Sequence, residues 1–175
     1  EVMALTRTPS VVHEKVGIYG NYQSGAHAAM VLHDAIDLRI FPKHWVYAYA
    51  VETVTDAGPR RSIQVFDAAG DAVHKVHLRD ASHHDQWATL IETLALPEQN
   101  DRPAVEPRVP PSPAQERPDR ADDLRKAWSE MTDTHQFMQL TKRLKMNRLG
   151  ACRVAGAPFV RQLDRAAGDT LLDRL

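Results

Sequence analysis

The 175 residues are enough for one domain or for parts of two, and 43% hydrophobic and 26% charged residues are ordinary values for a globular protein in water. A net charge of −1 does not favour nucleic acid or an anionic membrane as a partner. The single cysteine, Cys152, excludes an intrachain disulfide, and no apolar run reaches the roughly 20 residues of a membrane span. We therefore expect a cytoplasmic protein.

The first 80 residues predict short β-strands joined by short connections, an arrangement that favours an antiparallel meander over βαβ units. The candidate strands cover residues 11–16, 28–33, 36–41, 45–51, 62–66 and 72–78, and Glu1-Val2 is also strand-like. Residues 67–71 form a hairpin-like turn in which Gly70 is available for a positive φ. A helix over 84–96 is predicted to follow, with one apolar face made of Trp87, Leu90, Ile91 and Leu94.

The strand 36–41 alternates cleanly between two faces. The first face carries Ile36, Leu38 and Ile40, and the second carries Asp37, Arg39 and Phe41. One interpretation of Arg39 is a solvated strand face with Asp37 as a neighbouring charge, which contributes little to stability. The other is a guanidinium that lines a pocket beside Phe41, suited to a carboxylate or to an oxygen bound at iron. The pattern alone favours the solvated face.

A proline-rich linker covers residues 97–120 and holds seven of the eleven prolines, with few apolar residues. Such a segment is expected to be extended or disordered. Helices are predicted beyond it over 119–145, over 147–155 with Gly156 at its end, and from Asp164 onward. The chain is therefore predicted to be α+β: an antiparallel sheet unit with a C-terminal helix (1–96), the linker (97–120) and a helical segment (121–175).

His135 is the most informative residue of the helix predicted over 119–145. Apolar residues fall at Leu124, Trp128, Met131 and Met138, and His135 fills the gap in this stripe. A buried imidazole without a partner costs roughly 1–3 kcal/mol, so either a protein group or a ligand must meet it. Haem b fits best as a ligand, because it is a large apolar disc whose iron accepts a neutral imidazole. A core histidine bonded to a backbone carbonyl is the alternative, which the spacing alone favours.

Other chemistries have little support in the sequence. His74 and His77 would face opposite sides of a strand, and the adjacent His83 and His84 diverge, so the nine histidines do not predict a zinc site. No phosphate-binding loop or nucleophile elbow occurs, and Cys152 is expected to be a small packed residue.

A helix-turn-helix is an alternative interpretation of Met146 to Leu163. Residues 121–175 carry ten Lys and Arg against seven Asp and Glu, and no arrangement of Asn, Gln or Arg is typical of a recognition helix. We therefore do not expect nucleic acid as a partner.

Six stretches together carry a resemblance to a known family. They are 1–7 (EVMALTR), 12–15 (VHEK), 25–28 (GAHA), 36–41 (IDLRIF), 64–76 (QVFDAAGDAVHKV) and 128–137 (WSEMTDTHQF). In these the chain resembles the bacterial haem-utilisation proteins of the HemS/ChuX-like, hemin-degrading family. Long members of that family are tandem duplications whose haem lies between the halves. The resemblance implies that this chain holds the sheet of the first half and the helical start of the second, without the second sheet.

The resemblance also assigns roles to residues. It implies that His135 is the axial iron ligand and that Arg39, with Phe41 beside it, lies on the opposite face of the haem. Where the family has a second phenylalanine after Phe137 and a leucine four residues after Phe137, this chain has Met138 and Thr141. His13 is the nearest substitute as a ligand.

The function implied is cytoplasmic haem binding in bacterial haem and iron uptake. The protein would accept imported haem and either deliver it or take part in a haem oxygenase-like degradation that releases iron. A non-enzymatic haem carrier is the equal alternative, and a helix-turn-helix-like DNA-binding regulator is the alternative from another class. The haem importer and a downstream haem oxygenase are the expected partners, and we expect the 175 residues alone to bind haem weakly or only as a homodimer.

Overall fold

The computed structural model describes residues 1–134, 136–164 and 166–172. The chain divides into two units, Glu1–Val109 and Pro110–Leu175. The first unit is built on antiparallel strands and the second on helices, so the predicted α+β class is confirmed. Within the described ranges, no helix has the length and apolar character needed to cross a membrane.

The first unit, which is described throughout, contains eight strands. They are β1 (Val2–Arg7), β2 (Val12–Gly17), β3 (Tyr22–Gln23), β4 (Ala29–Leu32), β5 (Asp37–Ile40), β6 (Tyr47–Thr55), β7 (Gly58–Phe66) and β8 (Ala72–Leu78). A five-stranded sheet has the order β2-β1-β8-β7-β6, and a three-stranded sheet has the order β3-β4-β5. Every pairing is antiparallel, as the short connections predict.

The turn between β7 and β8 forms as predicted. The backbone N–H of Asp67 donates to the carbonyl oxygen of Asp71 at 2.9 Å, and Gly70 has a φ of 82°. The Asp67 carboxylate accepts from the backbone N–H groups of Ala69 and Asp71 at 3.0 and 2.9 Å. The aspartate side chain thus serves as acceptor for backbone N–H groups within the turn.

The predicted helix at 84–96 is shorter and less buried than expected. A 3₁₀ turn at His84–Gln86 leads into α1 (Trp87–Leu94). Of the predicted apolar face only Trp87 is buried, beneath the guanidinium of Arg61 at 5.9 Å, whereas Leu90 and Leu94 are 39% and 65% exposed. The periodicity correctly predicted the helix, but it did not predict how much of its apolar face is buried.

The first part of the predicted linker belongs to the first unit and is hydrogen-bonded to β6. Residues 97–117 contain no helix or strand. The hydroxyl of Tyr49 donates to the carbonyl oxygen of Asn100 at 3.1 Å, and that of Tyr47 donates to Ala104 at 2.8 Å. This part of the linker therefore lies along β6.

The second unit contains α2 (Ala121–Ser129), α3 (Gln136–Arg143), α4 (Arg148–Ala155) and α5 (Ala167–Leu172) among its described residues. The prediction of one continuous helix over 119–145 is therefore wrong. The backbone N–H of Thr132 donates to the side-chain oxygen of Gln136 at 3.1 Å, and the Gln136 amide donates back to the Thr132 hydroxyl at 3.2 Å. Threonine and aspartate side chains in this run compete with helical backbone bonds and favour a break.

The break changes which residues face the core of the second unit. Leu124 and Leu140 are buried, and the rings of Trp128 and Phe137 lie 4.5 Å apart. Met138, expected on the apolar stripe, is 60% exposed because α3 begins its own register. His135, the other residue of that stripe, lies outside the described residues.

Helix α4 begins and ends where the sequence predicts. The side-chain oxygen of Asn147 accepts from the backbone N–H of Gly150 at 2.9 Å and from that of Gln115 at 3.0 Å, while its amide donates to Pro113 at 2.7 Å. A side chain at Gly150 would overlap the carbonyl oxygen of Gln115, so glycine lets the end of the linker pack on the helix. Gly156, with a φ of 58°, ends α4.

Candidate functional site

Strand β5 presents Arg39 on the opposite face from its aliphatic neighbours. Its two aliphatic residues, Leu38 and Ile40, pack against a buried group that we call the inter-sheet cluster, made of Ala4, Val31 and Ile36. Arg39 is exposed. The alternation predicted for this strand is therefore confirmed, and it holds the Arg39 backbone on the buried cluster while leaving the side chain accessible.

The guanidinium of Arg39 is poorly partnered among the described residues. Its nearest polar contact is the sulfur of Met30, which lies directly opposite on β4, at 3.7 Å from Nη2. The charge pair with Asp37 that a solvated strand face would offer does not form among the ion pairs of the described residues. Apart from the N–H group that meets this weak acceptor, the donors of the planar fork remain available for an anionic ligand among the described residues.

Phe41 follows β5 with an extended backbone, at a φ of −110°, so the strand alternation places it on the same side as Arg39. The ring is 45% exposed. An exposed aromatic ring beside an unpaired guanidinium suits a flat, apolar ligand that carries carboxylates.

Of the predicted site residues, Arg39 and Phe41 are described, whereas His135 lies outside the described residues. On its C-terminal side α3 begins at Gln136, and Phe137 packs on Trp128. Within the described ranges no group of three or more His, Cys, Asp or Glu side chains could hold a metal ion.

His74 is a buried polar residue whose surroundings the sequence did not predict. It is 2% exposed, and its Nδ1 lies 2.9 Å from the hydroxyl of Thr6 while its Nε2 lies 2.5 Å from the hydroxyl of Tyr19. Burial lowers the pKa of His74 to about 4 and raises the pKa of Tyr19 to about 12. The alternation of its strand predicts which face of the sheet His74 lies on, but not that Thr6 and Tyr19 are its partners.

The helix-turn-helix considered for Met146 to Leu163 does not form within that segment. Only α4 lies there, and residues 157–164 contain no helix. Two helices are the minimum for that motif.

The fold defines the class of protein: an antiparallel α+β unit with an accessible arginine on its small sheet, followed by a helical unit. The family model of the haemin-degrading HemS.ChuX domain matches residues 1–94. The chain belongs to this haem-utilisation family, and the resemblance noted in the sequence is confirmed.

Two relatives show how far the similarity extends. The chain is 38% identical to the hemin transport protein HmuS of Yersinia pestis over 173 residues. This stretch covers 98% of this chain and 50% of that protein. It is 37% identical to the hemin transport protein HemS of Yersinia enterocolitica, over 99% of this chain and 50% of that protein. The chain thus spans about half the length of these relatives.

Solved structures agree with this placement. Holo-PhuS, a heme-binding protein from Pseudomonas aeruginosa, superposes with a TM-score of 0.85 at 36% identity, over 99% of this chain and 51% of that one. ChuS, an E. coli heme oxygenase, gives a TM-score of 0.74 at 29% identity, over 98% and 50%. Both structures support the α+β architecture.

Proposed function

We propose that this chain binds haem b as part of a bacterial haem-utilisation protein, with Arg39 and Phe41 on one face of the haem and His135 as the axial ligand. The observation that carries the proposal is the accessible guanidinium of Arg39, which makes no ion pair among the described residues and lies between Leu38 and Ile40, both packed on the inter-sheet cluster. The family membership supports haem as the ligand. The role of His135 is supported by the matched run 128–137.

The chemistry of the residues fits the ligand. Haem offers a flat apolar face, two propionates and an iron that binds a neutral imidazole. The Arg39 fork suits a carboxylate or an oxygen on the iron, and the exposed Phe41 ring suits the apolar face. His135 would orient the haem by holding its iron from the other side.

The names of the relatives support two roles for the bound haem. HmuS and HemS are called hemin transport proteins, whereas ChuS is called a heme oxygenase. Binding is the step that delivery and degradation share, and both roles would place the protein in the cytoplasm between a haem importer and a downstream acceptor. We therefore propose haem binding as the function and keep delivery and ring opening as its two outcomes.

A hemin titration tests the binding, with free hemin as its blank. We expect a Soret band that differs from that of free hemin and saturates with added protein. A titration without such a band would overturn the proposal.

A second measurement separates the two roles. The hemin complex is mixed with ascorbate in air, with catalase present to remove peroxide. Decay of the Soret band into a ring-opened product indicates degradation, whereas a stable band and transfer of haem to apomyoglobin indicate a carrier.

A further inference from the structure

The small sheet with Arg39 and Phe41 is part of an insert, residues 18–46, which lies between β2 and β6. We infer that His74, on β8 of the large sheet, is a positioning residue that fixes both ends of this insert and thereby sets where Arg39 lies. The inference rests on the proposed function, because the proposed function names haem as the ligand of Arg39.

Both ends of the insert meet the same imidazole. Tyr19, the second residue of the insert, places its hydroxyl 2.5 Å from Nε2 of His74. Trp45, the last residue but one, stacks its ring on the imidazole with a centroid distance of 5.3 Å and an interplanar angle of 19°. Thr6, which lies opposite His74 on β1, holds Nδ1 at 2.9 Å. One buried side chain therefore joins the large sheet to the start and the end of the insert.

The connection continues from Tyr19 to β5. Tyr19 packs against the inter-sheet cluster, and Leu38 and Ile40 pack against the same cluster. Arg39 lies between those two residues, so a displacement of Tyr19 would disturb the cluster on which the Arg39 backbone rests.

The other end of the insert is linked to Phe41 by a single 3₁₀ turn, Pro42–His44. The backbone N–H of Trp45 donates to the carbonyl oxygen of Pro42 at 2.9 Å. The ring stacked on His74 therefore fixes the end of the turn that Phe41 begins.

Histidine suits this position because a neutral imidazole has one donor and one acceptor nitrogen, and each partner is a hydroxyl that can take either role. An aliphatic side chain would leave both hydroxyls without His74 as a partner, which is costly where water is excluded. Phenylalanine would retain the stacking on Trp45 but lose both hydrogen bonds. The structure thus uses both ring nitrogens of His74 and the stacking of its ring on Trp45.

The test compares Tyr19→Phe with Tyr49→Phe. Each change removes one hydroxyl from the first unit, but the hydroxyl of Tyr49 donates to Asn100 in the linker and does not touch the insert. In the haem-free chain, we expect hydrogen exchange in residues 29–40 to rise about fivefold in Tyr19→Phe, the effect of one lost hydrogen bond. Residues 58–66 should exchange as in the unaltered chain, and Tyr49→Phe should leave residues 29–40 unchanged. His74→Phe should have a larger effect than Tyr19→Phe.

The second readout is the haem spectrum, which a purely structural role would not change. The hemin complex of Tyr19→Phe should shift towards the spectrum of Arg39→Ala, whereas that of Tyr49→Phe should match the unaltered chain. Equal effects of the two tyrosine variants, or faster exchange over both sheets alike, would overturn the inference. If the unaltered chain does not bind hemin, the proposed function fails, and hydrogen exchange alone decides whether His74 fixes the insert.

Discussion

Arg39 is the residue on which the described part of the proposed haem site depends. Arg39→Ala should weaken the hemin complex or alter its sixth-ligand spectrum with only a small loss of stability, because the side chain is exposed and makes no ion pair among the described residues. Hemin titration and thermal melting measure the two effects. Arg60→Ala, an exposed arginine on β7, is the matched control and should change neither. A large fall in melting temperature with an unchanged haem spectrum would show that Arg39 belongs to a solvated strand face.

His74 gives the stability of the chain a definite dependence on pH. Its pKa is lowered from 6.5 to about 4 by burial, so between these values the unfolded chain binds more protons than the folded one. The free energy of unfolding should therefore fall as the pH falls through this range, by roughly 2 kcal/mol at pH 5 for this residue alone. Urea denaturation at pH 7 and pH 5 measures the change.

The control for this dependence is His74→Gln, which does not titrate. The lowered pKa of His77 acts in the same direction in both proteins, and Tyr19, whose pKa is raised to about 12, stays neutral throughout. His13, opposite Thr6 on β2, is also present in both. A pH slope that is the same with and without His74 would contradict its assignment as a buried neutral imidazole.

At the scale of elements, Gly150 permits the contact between α4 and the end of the linker. Gly150→Ala should destabilise the second unit by about 1–3 kcal/mol, because the added methyl group overlaps the carbonyl oxygen of Gln115. Gly168→Ala in α5 is the control, since an added methyl group there meets no atom within 4 Å. Thermal melting followed by far-UV circular dichroism compares them, and equal melting temperatures would mean that the linker does not pack on α4.

The strands could be predicted from the sequence because alternation depends on one buried face. The 36–41 pattern therefore gave the faces of Leu38 and Arg39 correctly. The prediction that Met138 lies on the apolar stripe was wrong because it assumed a continuous helix. The helix breaks where the backbone N–H of Thr132 bonds to the side chain of Gln136.

The environment of His74 could not be predicted for a different reason. Its partners Thr6 and Tyr19 are 68 and 55 residues away along the chain, and no local pattern reports contacts of that separation. The packing of the end of the linker on Asn147 and Gly150 is also a long-range contact.

At the scale of the whole molecule, we expect the 175 residues alone to bind hemin weakly, or as a dimer. The chain spans about half the length of its relatives, and the family resemblance implies that haem lies between two halves. Exposed apolar side chains such as Leu94 and Met138, at 65% and 60% exposure, favour self-association. Sedimentation with and without hemin measures the mass of the complex. Tight one-to-one binding by a monomer would show that this chain closes the pocket alone.

The claim that His135 binds the haem iron is the one on which the proposed function most depends. The most direct measurement is the Soret spectrum of the hemin complex of His135→Ala, compared with the unaltered chain and with His13→Ala, which replaces an exposed histidine of β2. We expect His135→Ala to shift or abolish the Soret maximum without changing the far-UV circular dichroism, while His13→Ala keeps the original spectrum. An unchanged Soret maximum in His135→Ala, or its loss in His13→Ala, would contradict the claim.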